Sequence, residues 1–84
     1  MKELLDIYRK AKREHEDCII IVRDYNKNLY YIFENDAQIA HDVAGTYLFM
    51  VTDHNIKATY FKFYELDTYL SKLVRAGKRV AICE

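Results

Sequence analysis

Residues 66–84 read LDTYLSKLVRAGKRVAICE, and this stretch is the most informative part of the chain. Its first half carries apolar side chains at helical spacing, namely Leu66, Tyr69, Leu70, Leu73 and Val74. Gly77 follows where the end of a helix requires a positive φ angle, and residues 80–83 form a short apolar run. The pattern predicts a helix that leads directly into a buried strand.

The segments nearest the N-terminus also alternate between helical and strand patterns. Residues 3–14 carry an apolar stripe with basic residues on the remaining surface, which predicts an amphipathic helix. Residues 18–22 form a mostly β-branched run, and residues 29–33 form an aromatic run. The segment between them is rich in turn-forming Asp and Asn, so the three segments predict a β-hairpin.

A short second helix is predicted over residues 36–44. Asn35 and Gln38 have the spacing of a capping box at its start, and Gly45 is placed to end it. The expected buried residues are Ala37, Ala40, Val43 and Ala44.

The next segments favour a second hairpin. Residues 46–52 and 57–64 are rich in β-forming side chains, and residues 53–55 form a turn signal between them. Together with the closing helix and strand, these elements predict an α/β fold with a mixed five-stranded sheet flanked by three helices.

Composition limits the classes of function. The chain has 84 residues, room for a single domain over residues 1–84, and its 13 basic residues balance 13 acidic ones. A net charge of zero provides no overall attraction to polyanions. Cys18 and Cys83 both lie in apolar runs, which favours buried thiols over a disulfide. Unpaired thiols fit a reducing environment, so we expect a cytoplasmic location. No apolar run approaches the roughly 18 residues of a membrane span, so we expect no membrane association.

Residues that could carry catalysis or hold a metal are sparse. His15 and Cys18 are the one closely spaced pair of His and Cys, and a lone pair is a weak zinc signal. We therefore expect no metal and no cofactor. The sequence contains no glycine-rich phosphate loop and no recognisable Ser-His-Asp or Cys-His signature, so nothing in it indicates an enzyme.

Two features leave nucleic-acid binding open. Basic residues cluster on the first and last predicted helices, where a phosphate footprint and a solvated helix face are both possible. Residues 60–64 alternate in direction on the predicted strand, with Phe61 and Phe63 in the core and with an outward row of Tyr60, Lys62 and Tyr64. Such a row suits base stacking, and it equally suits half-buried strand or interface positions.

Landmarks along the whole chain resemble those of one known family. They are Tyr8 in the first helix, Asp17-Cys18 before an aliphatic strand that ends at Arg23, Phe33 ahead of Asp36-Ala37, and the closing block with Gly77 and residues 80–84. In this order they resemble the N-terminal domain of the MutS family of DNA mismatch-repair proteins. The resemblance implies an α/β domain that binds mispaired DNA.

That family carries its DNA contacts in a Gly-Asp-Phe-Tyr-Glu segment that supplies a Phe-X-Glu motif. The resemblance implies that the Phe wedges beside the mismatch and that the Glu hydrogen-bonds the displaced base. This chain is two residues longer here than the usual pattern, so the motif has two registers. Counted back from Phe33, its positions are Leu29 and Tyr31. Counted forward from the preceding strand, they are Tyr25 and Lys27, and neither register contains a Glu.

We therefore expect a non-enzymatic DNA-associated binding module with weak or lost mismatch specificity, whose partner is double-stranded or mismatched DNA. The candidate DNA contacts are Tyr25, Lys27, Leu29 and Tyr31. The alternative is an interaction module that keeps the fold and binds a protein partner or another copy of itself. A steep salt dependence of DNA affinity separates the two, because phosphate neutralisation releases counterions.

Overall fold

The computed structural model describes residues 1–84 and contains three helices and five strands. In order, the elements are α1 (Lys2–Glu14), β1 (Cys18–Asp24), β2 (Leu29–Phe33), α2 (Glu34–Ala44), β3 (Tyr47–Val51), β4 (Ile56–Lys62), a 3₁₀ turn (Phe63–Glu65), α3 (Leu66–Arg75) and β5 (Arg79–Cys83). The strands form one sheet in the order β3-β4-β2-β1-β5, in which β1 and β5 are parallel and the other neighbours are antiparallel. This architecture confirms the predicted α/β fold, but the prediction of a buried closing strand is wrong, because β5 lies at the edge of the sheet and none of its residues is fully buried.

The helices cover the two faces of the sheet unequally. Ile20 and Val22 of β1 face α1, whereas Ile19 and Ile21 face α2 and α3. Burial on both faces explains why β1 is an uninterrupted aliphatic run. Helix α1 packs across β5, β1 and β2. The same face of β4 and β3 is therefore left partly open, and this opening positions the candidate site.

A buried carboxylate joins the two layers at the start of α2. Asp36 accepts hydrogen bonds from the Tyr8 hydroxyl (3.1 Å), the Lys12 ammonium (2.9 Å) and the Ile20 backbone N–H (3.1 Å). These three donors compensate for removing the carboxylate from water. Burial raises the pKa of the Tyr8 hydroxyl far above its usual range, and the neighbouring Asp36 charge adds to the shift. The network fixes α1, β1 and α2 relative to one another.

The start of α2 differs from the sequence prediction. The helix begins at Glu34, with Phe33 in the N-cap position and no side chain capping it. The predicted capping box of Asn35 and Gln38 is therefore wrong. Both residues already lie inside the helix, so their side chains do not precede its free N–H groups.

Two apolar side chains assigned to helix stripes are exposed. Val43 of α2 lies six residues beyond the buried Ala37, which places it roughly 120° away around the helix. Val74 of α3 directly follows the fully buried Leu73, and adjacent helical residues point about 100° apart. The prediction that Val43 is buried is wrong, whereas Leu73 is in the core.

Strand β4 ends earlier than predicted. It stops at Lys62, whose backbone N–H donates to the Glu65 carboxylate (2.9 Å) as the chain turns into the 3₁₀ segment. Phe61 is buried as expected, but Phe63 is exposed and not part of the core. Tyr64 likewise leaves the strand, so it does not belong to the predicted outward row.

Candidate nucleic-acid interface

The tip of the β1–β2 hairpin, residues 25–28, is fixed by hydrogen bonds. The buried Asp24 carboxylate accepts hydrogen bonds from the backbone N–H groups of Asn26 (3.0 Å) and Lys27 (3.4 Å). Asn28 has a positive φ angle of 55°, which Asn tolerates better than most residues. Its carbonyl oxygen accepts a hydrogen bond from the Phe63 N–H (3.1 Å). The tip therefore has a defined conformation.

Tyr25 projects from this tip and is 62% exposed. Its ring lies 5.0 Å from the Arg23 guanidinium, which also lies 5.1 Å from the ring of Tyr30 and 5.0 Å from that of Phe63. The guanidinium donates a hydrogen bond to the Asn28 side-chain oxygen (3.1 Å). Side chains alternate along β1, so Arg23 lies on the side of the sheet that carries α2 and α3. Tyr25 consequently leans toward that side.

Leu29 and Tyr31 face the opposite side of the sheet, where α1 packs. Leu29 is half-buried, and Tyr31 is 5% exposed with its ring stacked on Phe33 at a centroid distance of 5.8 Å. Burial raises the pKa of the Tyr31 hydroxyl, and the nearby Asp24 carboxylate adds to the shift. The Tyr31 position thus offers a neutral phenol, in contrast to the carboxylate of a Glu.

The structure brings three of the four predicted contact residues together. Lys27, Leu29 and Tyr31 line one surface hollow, which is also lined by residues of the opposite face such as Phe61 and Tyr69. Tyr25 leans to the side that carries α2 and α3, toward Arg23. The register of Leu29 and Tyr31 therefore lies on one side of the hairpin, whereas the register of Tyr25 and Lys27 is divided between the two sides.

Two aromatic residues of β3 that the sequence reasoning missed, Tyr47 and Phe49, complete this hollow. Tyr31 pairs with Tyr60, and Tyr60 pairs with Tyr47, so three tyrosines form a row across β2, β4 and β3. We call Tyr31, Tyr60 and Tyr47 the tyrosine row. Adjacent ring centroids in it are 5.9 Å and 6.2 Å apart, and Phe49 lies 5.7 Å from Tyr60.

The tyrosine row becomes more accessible toward the edge of the sheet. Tyr31 is covered, Tyr60 is 37% exposed, and Tyr47 at the edge is 66% exposed. The apolar alternation of β3 was visible in the sequence. The strand pairing that aligns Tyr47 with Tyr60 and Tyr31 was not, because it depends on how the hairpin closes.

The basic side chains nearest the row are Lys27 and Lys62. Lys62 pairs with Leu29, which places it on the same face two residues along β4 from Tyr60. Neither lysine takes part in a salt bridge. The predicted basic clusters on the helices are in part neutralised, by the pairs Arg9–Glu34 (3.1 Å), Lys12–Asp36 (2.9 Å) and Arg79–Asp17 (3.0 Å). Unpaired positive charge beside the hollow therefore comes from the hairpin tip and the end of β4.

Other chemical groups do not converge on this face. No three His, Cys, Asp or Glu side chains form a group that could hold a metal ion. Cys18 and Cys83 are free, half-buried thiols, and burial raises the pKa of the Cys83 thiol. None of the helices is long and apolar enough to cross a bilayer. Aromatic and basic side chains define the site.

A mixed five-stranded sheet covered by three helices, with an exposed hairpin tip and a partly open aromatic face, defines a small α/β domain. The model of the MutS domain I family matches residues 2–84, and the chain belongs to this family. Domain I is the DNA-recognition domain of MutS and not its catalytic part.

Full-length relatives show the same likeness. The chain is 38% identical to the DNA mismatch repair protein MutS of Phocaeicola vulgatus over its whole length, and 38% identical to that of Porphyromonas gingivalis over 96% of its length. It is 33% identical to the DNA mismatch repair protein MutS of Thermotoga neapolitana, again over its whole length. The chain spans 9–10% of the length of these relatives.

Proposed function

We propose that this chain is a non-enzymatic DNA-binding module that contacts duplex DNA through the tip of its β1–β2 hairpin. The observation that carries the proposal is the tip itself, a turn fixed by hydrogen bonds that presents the exposed Tyr25 and the unpaired Lys27. It lies where the family has its DNA-contacting motif. The DNA mismatch repair relatives support DNA as the ligand.

The residues at the motif positions favour weak discrimination between mismatched and matched DNA. Leu29 is apolar and half-buried, and the Tyr31 phenol is held against Phe33 beneath the surface. Neither Tyr25 nor Lys27 supplies a carboxylate that accepts hydrogen bonds from a displaced base. Since a specific base contact contributes about 1–3 kcal/mol of discrimination, its loss leaves mainly contacts to the phosphate backbone.

The test is the salt dependence of binding to a short fluorescein-labelled duplex, measured by anisotropy. Each phosphate contact contributes about 0.9 to the slope of log affinity against log salt. Replacing Lys27 by Gln removes one phosphate contact, so the salt dependence should become weaker and the magnitude of the slope should fall by about one. Lys10→Gln is the matched control, because Lys10 is exposed on α1 away from the hairpin tip. Equal slopes for Lys27→Gln and the parent would show that the hairpin tip does not contact the DNA.

A second candidate function is a protein-interaction module, and the open edge of β3 favours it. Strand β3 is an edge strand whose five residues, YLFMV, carry no charge and no proline, and Tyr47 and Met50 are exposed. Natural edge strands usually carry charges or prolines that prevent pairing with another chain. Sedimentation measurements that show a dimer, together with no salt-dependent DNA binding, would favour this candidate. In either case the free thiols are in keeping with a reducing cytoplasm.

A further inference from the structure

We propose that Tyr60 and Tyr47, the accessible members of the tyrosine row, bind unpaired bases of single-stranded nucleic acid by stacking, with Lys62 and Lys27 contacting the adjoining phosphates. This inference rests on the proposed DNA-binding function and names a second class of ligand for the same face of the molecule. It concerns Tyr60 and Tyr47, which lie outside the hairpin motif.

The geometry of the row suits a strand of unpaired bases. Its three tyrosines occupy paired positions on neighbouring strands, so the outer two stand about 10 Å apart, which is two strand spacings. Sheet faces with aromatic residues on adjacent strands stack about two or three bases in other single-strand binding domains. The rings of Tyr47 and Phe49 are stacked, with their planes 17° apart and their centroids 6.0 Å apart, so Phe49 supports the ring at the outer end of the row.

The exposed rings of the tyrosine row favour binding of unpaired bases over paired bases. In a duplex, the faces of the bases are stacked on one another and only their edges reach the grooves. An aromatic ring that lies on a sheet can therefore stack only on a base that is free of its partner. Tyr47, the most exposed member of the row, lies at the open edge of the sheet, where a strand can enter.

The positive charge of the lysines beside the tyrosine row favours nucleic acid over a protein as the ligand of this face. Lys62 lies on the same face as the row and Lys27 lies at the hairpin tip beside it, and neither is paired with a carboxylate. Lysine is depleted at protein–protein interfaces, whereas lysine beside aromatic residues is the usual composition of single-strand binding grooves. Two acids lie nearby: Asp24 is buried and accepts hydrogen bonds from the turn, and Glu65, which lines the hollow, accepts a hydrogen bond from the Lys62 backbone N–H (2.9 Å).

The test compares binding of a short fluorescein-labelled oligothymidylate and of a matched duplex to the full 84-residue chain. Tyr47→Ala should weaken oligothymidylate binding by about 5- to 150-fold, the usual effect of losing one base–aromatic stack. Tyr47→Phe keeps the ring and should bind within about twofold of the parent. Tyr64→Ala is the matched control for the loss of an exposed tyrosine ring, because Tyr64 is 68% exposed, lies outside the sheet and touches the proposed site only at the Lys62 ammonium (6.0 Å). Circular dichroism checks that each variant is folded.

Four results would overturn the inference. If Tyr47→Ala and Tyr64→Ala bind the oligothymidylate equally, the row does not stack bases. If the parent binds duplex but not the oligothymidylate, this inference fails while the proposed function stands, and if it binds neither, both fail. If Tyr47→Ala leaves oligothymidylate binding unchanged but converts a dimer to a monomer in sedimentation, the face belongs to a second copy of the chain.

Discussion

Replacing Asp36 by Asn tests whether the buried carboxylate holds the two layers of the fold together. One carboxylate oxygen, Oδ2, accepts from Tyr8 and Ile20, and Oδ1 accepts from Lys12. An Asn side chain can keep its oxygen toward the first two donors, but it then presents an NH₂ group to the Lys12 ammonium. The substitution therefore removes one charge-assisted hydrogen bond, worth about 1.5–3 kcal/mol.

The structure places the expected cost toward the lower end of that range. Lys12 is partly exposed and keeps its hydrogen bond to the Cys18 carbonyl oxygen (2.7 Å), so its charge is not left without a partner. We expect Asp36→Asn to lower the free energy of unfolding by about 2 kcal/mol. For a domain of this size that corresponds to a fall in Tm of about 8–16 °C.

Urea unfolding provides the measurement, followed by circular dichroism and by tyrosine fluorescence, since the chain has no Trp. Asp42→Asn is the matched control, because Asp42 is exposed on the same helix and accepts only the Gln38 side chain (3.0 Å). Its cost should stay below about 0.5 kcal/mol. If the free energy of unfolding of Asp36→Asn also lies within about 0.5 kcal/mol of the parent value, the Asp36 carboxylate does not hold the two layers together.

Three further predictions follow from the packing and the site. Leu73→Ala should lower the free energy of unfolding in urea by about 2–5 kcal/mol, because Leu73 is fully buried. The same substitution at its exposed neighbour Val74 should lower it little. Equal losses would mean that the buried face of α3 is misassigned. Tyr25→Ala should weaken duplex binding by about 1–3 kcal/mol in anisotropy without changing the salt slope, and unchanged affinity would exclude Tyr25 from the contact. The contribution of Tyr8 to stability should be constant up to about pH 10 and be lost above it, because the pKa of Tyr8 is raised in the folded chain and its unfolded form ionises first. Urea midpoints between pH 8 and 11 measure this decline, which should be shallower in Tyr8→Phe; an equally steep decline in that variant would contradict the assignment to Tyr8.

The order of the elements could be predicted because each leaves a local pattern. The spacing of Leu66, Tyr69 and Leu73 marks α3, and Gly45 and Gly77 end helices with φ angles of 73° and 81°. The aliphatic run of β1 indicated a strand buried on both faces. These signals lie within a few residues of one another, so the sequence alone contains them.

The parts that could not be predicted depend on partners distant in the chain. Lys62 ends β4 because the following turn folds back on the strand and Phe63 donates to Asn28. The tyrosine row exists because Tyr60 pairs with both Tyr31 and Tyr47. The separation of Tyr25 from Leu29 likewise follows from the Arg23 guanidinium, which holds the Tyr25 ring on the other side of the sheet.

The most direct test of DNA binding with weak mismatch discrimination is the ratio of affinities for a mismatched and a matched duplex of the same length. Both are measured by anisotropy with the full chain at one fixed salt concentration, because affinities without a stated salt concentration cannot be compared. The proposed function predicts measurable binding to both duplexes and a ratio within about tenfold, since no residue at the motif positions replaces the Glu. A mismatch preference of several orders of magnitude, or no binding to either duplex, would contradict it.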